Sequence, residues 1–257
     1  MEDRFKLNLF NKKESPEYIS AQEITENVYL AENLTISLFP VDFSKEVKLN
    51  YRKELTKRWI EVLPKLDTVQ AISIRHHVDQ DFLEAICEMK NLKRLNLWSS
   101  SVTDISPLKN LARLDFLHLD SCNKLIDISP VQYLENLELL SISNSFKVSN
   151  YESIGQCVNL IGLALNGNQF SPKKLRLNSL RPFINLKKLK HLDLTNTTVS
   201  DNSYDILLEL VNLERFDTTT KIPVLIREKI NEHPKLTAGF FVDWDWDNDG
   251  LIEGKEW

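Results

Sequence analysis

Between residues 66 and 222 the apolar positions recur as L-x-x-L-x-L at a nearly fixed interval. The first positions are Val69, Leu92, Leu114, Leu137, Leu160, Leu189 and Leu213, separated by 23, 22, 23, 23, 29 and 24 residues. The fourth positions are Ile72, Leu95, Leu117, Leu140, Leu163, Leu192 and Phe216, and the sixth are Ile74, Leu97, Leu119, Ile142, Leu165, Leu194 and Thr218. Only Thr218 departs from an apolar side chain. Self-similarity at such a period is the signature of a solenoid. One unit cannot bury its apolar face alone, so stacked units share a core. The strands turn their fourth and sixth residues inward. Behind them, DISPLKNL (104–111) and DISPVQYL (127–134) supply apolar residues to the opposite side, where Pro107 and Pro130 suit short helical turns. The unit starting at Leu160 spans 29 residues against 23 in the unit before it. The excess lies in QFSPKKLRLNSLRPF (169–183) and predicts a convex bulge. A degenerate eighth unit uses Thr237, Phe240 and Val242.

The two ends break the pattern. Phe5, Leu7 and Leu9 alternate with polar residues, as do Val28 and Leu30 and then Leu34, Ile36 and Leu38. A period of two predicts half-buried strands, here a hairpin. Residues 11–20 read as a loop, and 42–51 as one more short strand. In YRKELTKRWIEVL (51–63), Leu55, Trp59 and Leu63 share a helical face, and Pro64 stops the helix. Residues 1–63 are thus expected to form a β-rich N-terminal cap with a capping helix, 64–222 about seven repeats, and 223–257 a C-terminal cap. Residues 222–233 make its closing helix, ended by Pro234. Caps are required because a terminal repeat otherwise exposes its core.

TDISPLKNL after a leucine strand (103–111) resembles the 22-residue class of leucine-rich repeats in internalin-like bacterial proteins, over about residues 66–222. The resemblance implies an α/β fold: a curved solenoid, its concave side a parallel β-sheet and its convex side short helices and turns. It also implies a protein-binding role. The Asn usual after the strand stands at Asn168, with Ser100 and Cys122 in other repeats.

Composition narrows the function. A net charge of −5 gives no basic surface for nucleic acid. No apolar run reaches the roughly 18–20 residues that span a bilayer. The N-terminal residues lack the h-region of a signal peptide, which points to the cytoplasm. Cys87, Cys122 and Cys157 are widely spaced with no C-x-x-C, so buried thiols are expected rather than a disulfide framework or zinc site.

The third, fifth and seventh residues of each strand face outward on the concave sheet. Trp98, Phe116 and Leu139 cluster there, flanked by Arg75, Arg94 and His118, with Asp120 in the seventh-position row. Aromatics beside arginine are the usual make-up of an interface hot spot. The alternative is that a cap or loop folds over them. Further along, Asp193 and Asp217 should be direct neighbours, with His191 and Arg215 near enough to neutralise them. A close carboxylate pair can raise one pKa and serve catalysis, but a compensated polar surface needs no chemistry. No nucleophile–base register, phosphate loop or H-E-x-x-H occurs, and the His76-His77 pair lacks further ligands. The expectation is a non-enzymatic module whose concave face binds another protein, as an adaptor, inhibitor or immunity-type protein.

The C-terminus carries a second motif. From Asp245, the sequence DWDNDGLIEGKE (245–256) fits D-x-[DN]-x-[DN]-G-x₅-E. Asp245, Asp247, Asp249, the Leu251 carbonyl and Glu256 would supply oxygens to Ca²⁺, with Gly250 at the sharp turn. This resembles an EF-hand calcium loop and raises the alternative of a calcium-binding structural or surface protein. The competing local reading is a β-hairpin turning at Asn248-Asp249-Gly250.

Overall fold

The computed structural model describes residues 19–39, 49–168, 171–239, 244–245 and 250–251. The first described elements are β1 (Ile19–Ala21), helix α1 (Glu26–Leu30), β2 (Asn33–Ile36) and helix α2 (Leu49–Val62). Then follow β3 (Ala71–Ile74), helix α3 (Gln80–Ile86), β4 (Arg94–Leu97), β5 (Phe116–Asp120), β6 (Leu139–Ser143) and β7 (Gly162–Asn166). Beyond them lie β8 (Leu175–Leu177), β9 (His191–Leu194), β10 (Thr197–Val199), β11 (Arg215–Thr218) and helix α4 (Val224–Asn231). A final pair is β12 (Trp244–Asp245) and β13 (Gly250–Leu251).

Nine of these strands form one sheet in the order β1-β2-β3-β4-β5-β6-β7-β9-β11, every pair parallel. The repeat frame is the pairing register: Leu95↔Leu117, Leu117↔Leu140, Leu140↔Leu163 and Leu163↔Leu192. All of these leucines are buried, as are the sixth-position Leu97, Leu119, Ile142, Leu165 and Leu194. Each fully buried side chain stabilises the stack by about 1.5–3 kcal/mol. Thr218, the one polar sixth residue, is also buried, and its hydroxyl accepts the Thr220 N–H.

The returns into β3 and β4 carry the helices α2 and α3, and from β4 to β11 the return segments are 3-10 turns. Those at Ser106–Asn110 and Ser129–Tyr133 carry proline in their first turn. The D-I-S-P wording has a mechanism: Asp104 and Asp127 each accept the backbone N–H of the serine two residues on, at 2.7 Å. Hydrogen bonds from Ser129 and Asn150 hold the Asp127 carboxyl below its ordinary pKa.

A second ladder runs along the outside. Asn91, Asn136, Asn159 and Asn212 each stand before a first-position leucine. Each donates through Nδ2 to a backbone carbonyl of the preceding unit, of Asp67, Ala112, Glu135 and Lys187, at 2.7–2.9 Å. At the third repeat Arg113 reaches back to the Asn91 Oδ1 instead.

The N-terminal end differs from expectation. Where a hairpin over 28–38 was predicted, α1 occupies Glu26–Leu30 and β2 pairs parallel with β1. Val28 is buried while Leu30 is 77% exposed, so the two never shared a face. β2 pairs with β3 through Leu34↔Ile72 and Ile36↔Ile74. The leucine-strand pattern therefore begins one unit earlier, hidden because α2 stretches that interval. The short strand expected within 42–51 gives way to α2 from Leu49; residues 42–48 and the Phe5–Leu9 alternation lie outside the described residues. On α2, Leu55 and Trp59 are buried, as is Leu63 just after it, and the Trp59 Nε1–H donates to the Gln22 carbonyl at 3.0 Å.

At the other end, the backbone repeats its pattern at Thr237–Ala238, where both N–H groups donate to the Glu214 carbonyl. Phe240 and Val242 of the eighth unit lie outside the described residues. The three cysteines are free and buried, and burial pushes the Cys87 and Cys157 thiols up to about 12.

Candidate partner-binding surface

The strands place the odd-position residues in rows across the sheet. Arg94, Phe116 and Leu139 are consecutive partners, as are Asn96, His118 and Ser141. Exposure, however, is uneven. Trp98 is 45% exposed, and Arg75 is exposed beside it. Phe116 and Leu139 are buried at 4% each and form an apolar cluster of their own, separate from the main core. The expectation that all three apolar residues lie open is thereby corrected. On the inner side of a curved sheet, rows about 4.8 Å apart crowd large side chains against one another.

Trp98 leans on His118, ring centroids 5.9 Å apart at 46°. Burial holds the His118 pKa down to about 4, with Asp120 opposing, so the imidazole is neutral at pH 7. Its Nε2 is buried without a hydrogen-bond partner among the described residues, and so is the Oδ1 of its neighbour Asn96. Such atoms are costly to bury unpaired. The sequence marks Asn96 by nothing more than its place in the fifth-position row. Asp120 is tied into the adjoining turn, accepting from the Ser121 hydroxyl at 2.6 Å and from Asn144 Nδ2 at 3.0 Å. Arg94 lies 3.8 Å from Asp115.

The acidic pair is also where expected: Asp193 and Asp217 are register partners. Their environments differ. Asp217 receives a bidentate Arg215 guanidinium at 2.7 and 3.1 Å. Asp193 is buried and accepts from the Thr195 N–H at 2.7 Å and from Asn166 Nδ2 at 2.6 Å. Burial raises its pKa, the Thr195 and Asn166 hydrogen bonds oppose this, and Asp217 adds to the rise. Ser143 donates to Asn166 Oδ1, extending this polar chain toward β6. His191 is buried beside them. The arrangement satisfies Asp193 from its own turn and from the neighbouring β7, as a structural polar network does.

Among the described residues no group of three or more His, Cys, Asp or Glu could hold a metal ion. Asp247, Asp249 and Glu256 lie outside them. For Asp245 and Leu251 the backbone alone is described: β12 and β13 pair antiparallel, Trp244↔Leu251 and Asp245↔Gly250, which is the hairpin connection. Gly250 sits in a strand of that hairpin. No helix among the described residues is long and apolar enough to cross a membrane.

Comparison with known proteins bears on the fold. Residues 90–133 match the family model for leucine rich repeats (2 copies). No curated protein sequence matches the chain. Among solved structures it is similar to the internalin InlF of Listeria monocytogenes, at a TM-score of 0.58 and 18% identity, over 85% of this chain and 58% of that one. It is also similar to a leucine-rich-repeat protein of Leptospira interrogans, at a TM-score of 0.55 and 21% identity, over 83% of this chain and 50% of that one. The chain thus spans between half and three fifths of the length of these two structures. A continuous parallel sheet, 3-10 return turns and these likenesses together make this chain a leucine-rich-repeat solenoid in fold.

Proposed function

We propose that the chain is a non-enzymatic protein-binding module, and that its partner seats on the N-terminal half of the concave sheet. One observation carries this reading: Trp98 remains 45% exposed on a sheet whose neighbouring aromatic and aliphatic residues are packed away. A large aromatic ring left open beside an arginine is how interface anchors look before the partner arrives. His118 Nε2 and Asn96 Oδ1, buried without partners among the described residues, are the polar groups such a contact would satisfy. Solenoids of this kind use their concave surfaces for binding. Of the acidic pair, Asp217 with its Arg215 lies at the rim of this surface, while the buried Asp193 ties the strands together. In the cell the module would act in the cytoplasm as an adaptor, inhibitor or immunity-type partner.

The test is capture from the native host's lysate with wild type beside Trp98→Ala and Arg75→Glu. Both positions are exposed, so the melting temperature should stay within about 2 °C while the partner is lost. Retention of the same partner by both variants would sink the reading.

A second reading rests on the acidic loop at 245–256, whose residue order supplies the oxygens a hard cation takes. Trp244 and Trp246 flank its first ligand, so intrinsic fluorescence should report calcium binding. No response at millimolar calcium, the same in Asp245→Ala, would remove it.

A further inference from the structure

The inserted residues of the long repeat build something beyond a bulge. β8 pairs with β10 in a small parallel sheet of its own, Leu175↔Thr197, Arg176↔Thr198 and Leu177↔Val199. The insert is fastened from behind by Asn196, a buried residue in the left-handed region at φ 54°. Its Nδ2 donates to the carbonyls of Asn168, Ser171 and Lys173 at 2.7–3.1 Å. Between this small sheet and the preceding unit lies a cavity of about 520 Å³, lined by Phe146, Val148, Tyr151, Pro172, Leu175 and Thr198 with Lys173, Lys174 and Arg176. That size suits a small organic ligand.

The lining has one sign of charge. Residues 153–192, 40 in all, hold seven Lys or Arg and no Asp or Glu, in a chain of net charge −5. Most of those cations are engaged elsewhere: Arg181 with Asp201 and Asp205, Lys190 with Glu214, Lys187 with the Glu209 carbonyl, Lys188 with Asn159. The three at the cavity are different. Strand alternation turns Leu175 and Leu177 into the core and leaves Lys174 and Arg176 exposed. Neither makes an ion pair among the described residues. Lys173 rests its ammonium 4.2 Å from the Phe146 ring centroid. The nearest carboxylate in sequence, Glu152, accepts from Asn178.

A second, independent feature points to a ligand. Tyr151 lines the cavity, is 4% exposed, and its hydroxyl is buried with no hydrogen-bond partner among the described residues. Burial also raises the phenol's pKa, so it stays a neutral donor. An unpaired buried donor beside three cations and an apolar wall is complementary to anionic oxygens carried on an apolar body. Lys174 and Arg176 together match a dianion better than a single carboxylate.

We propose that this flank cavity binds a small phosphomonoester, its phosphate held by Lys174, Arg176 and the Tyr151 hydroxyl and its apolar body against Phe146, Val148 and Leu175. The site lies off the concave face, so it stands whether or not a protein partner binds there.

The test is calorimetric titration of the full chain with phenyl phosphate, inorganic phosphate and benzoate, up to about 10 mM ligand. Phenyl phosphate should bind saturably and more tightly than inorganic phosphate, and benzoate should bind weakest. The double substitution Lys174→Gln with Arg176→Gln should weaken phenyl phosphate at least tenfold. Tyr151→Phe should weaken it about threefold or more while the melting temperature holds or rises, since the lost hydroxyl has no partner to lose. Absence of saturable binding, an unchanged affinity in either variant, or benzoate binding as tightly as phenyl phosphate would overturn the proposal. Equal affinity for phenyl and inorganic phosphate would overturn the role given to the apolar wall.

Discussion

Gly155 sits in the 3-10 turn Tyr151–Gln156, where consecutive units stack. A Cβ added there would stand 2.2 Å from the Pro182 carbonyl oxygen and 2.9 Å from its carbon. The obstacle is backbone, held in the next unit's 3-10 turn at Arg181–Asn185, and cannot swing aside as a side-chain tip would. Bringing that contact out to about 3 Å requires the two turns to part by roughly 0.8 Å, loosening the contacts of the buried Ile154, Leu180 and Phe183. Overpacking of this kind costs about 1–3 kcal/mol. Replacing glycine would by itself return about 0.5–1 kcal/mol of chain entropy, so Gly155→Ala should be destabilising by about 1 kcal/mol net, from the middle of these ranges. Urea unfolding followed by far-UV circular dichroism should show a lower midpoint at unchanged slope. The exposed Glu152→Ala on the same turn serves as control and should move little. If Gly155→Ala matches that control or raises the midpoint, the close approach does not constrain the stack.

Other predictions follow from single groups. His118 titrates at about 4 when folded against 6.5 ordinarily, so its contribution to stability is present above pH 6.5 and is lost as pH falls toward 4. That displacement is at most about 3 kcal/mol, and His118→Gln should flatten the stability profile over this window. Asp193 has the opposite sign: its raised pKa favours the protonated folded state, so its contribution is lost as pH rises above the ordinary carboxylate value, and Asp193→Asn should remove that slope in urea midpoints. Asn136→Ala removes the 2.7 Å bond to the Ala112 carbonyl and should cost about 0.5–1 kcal/mol in denaturant unfolding, because the carbonyl stays near water. Ser121 occupies the left-handed region at φ 55°, where the next unit has Asn144 at φ 52°, so Ser121→Asn should raise the urea midpoint by an amount equivalent to about 0.5 kcal/mol.

The period of L-x-x-L-x-L determined the solenoid, because strand pairing in register is the only way seven such faces can share one core. The same spacing located β3 to β7, β9 and β11, the proline-led 3-10 turns and the extra residues before Leu189. It also placed Asp193 beside Asp217, since register follows from the repeat count. Three things waited for the tertiary structure. β1 and β2 escaped because α2 breaks the interval between Leu34 and Ile72, and periodicity cannot see across an insertion of unknown length. The exposure of the concave residues escaped because alternation assigns a side to each residue but says nothing of crowding on that side, so Trp98 and Phe116 looked alike. The flank cavity escaped because Phe146, Tyr151, Lys173 and Thr198 belong to three successive units. The main sheet stacks those units, Asn196 and the β8–β10 pairing fold the insert against them, and hydrogen bonds between residues more than twenty apart leave no local mark in a sequence.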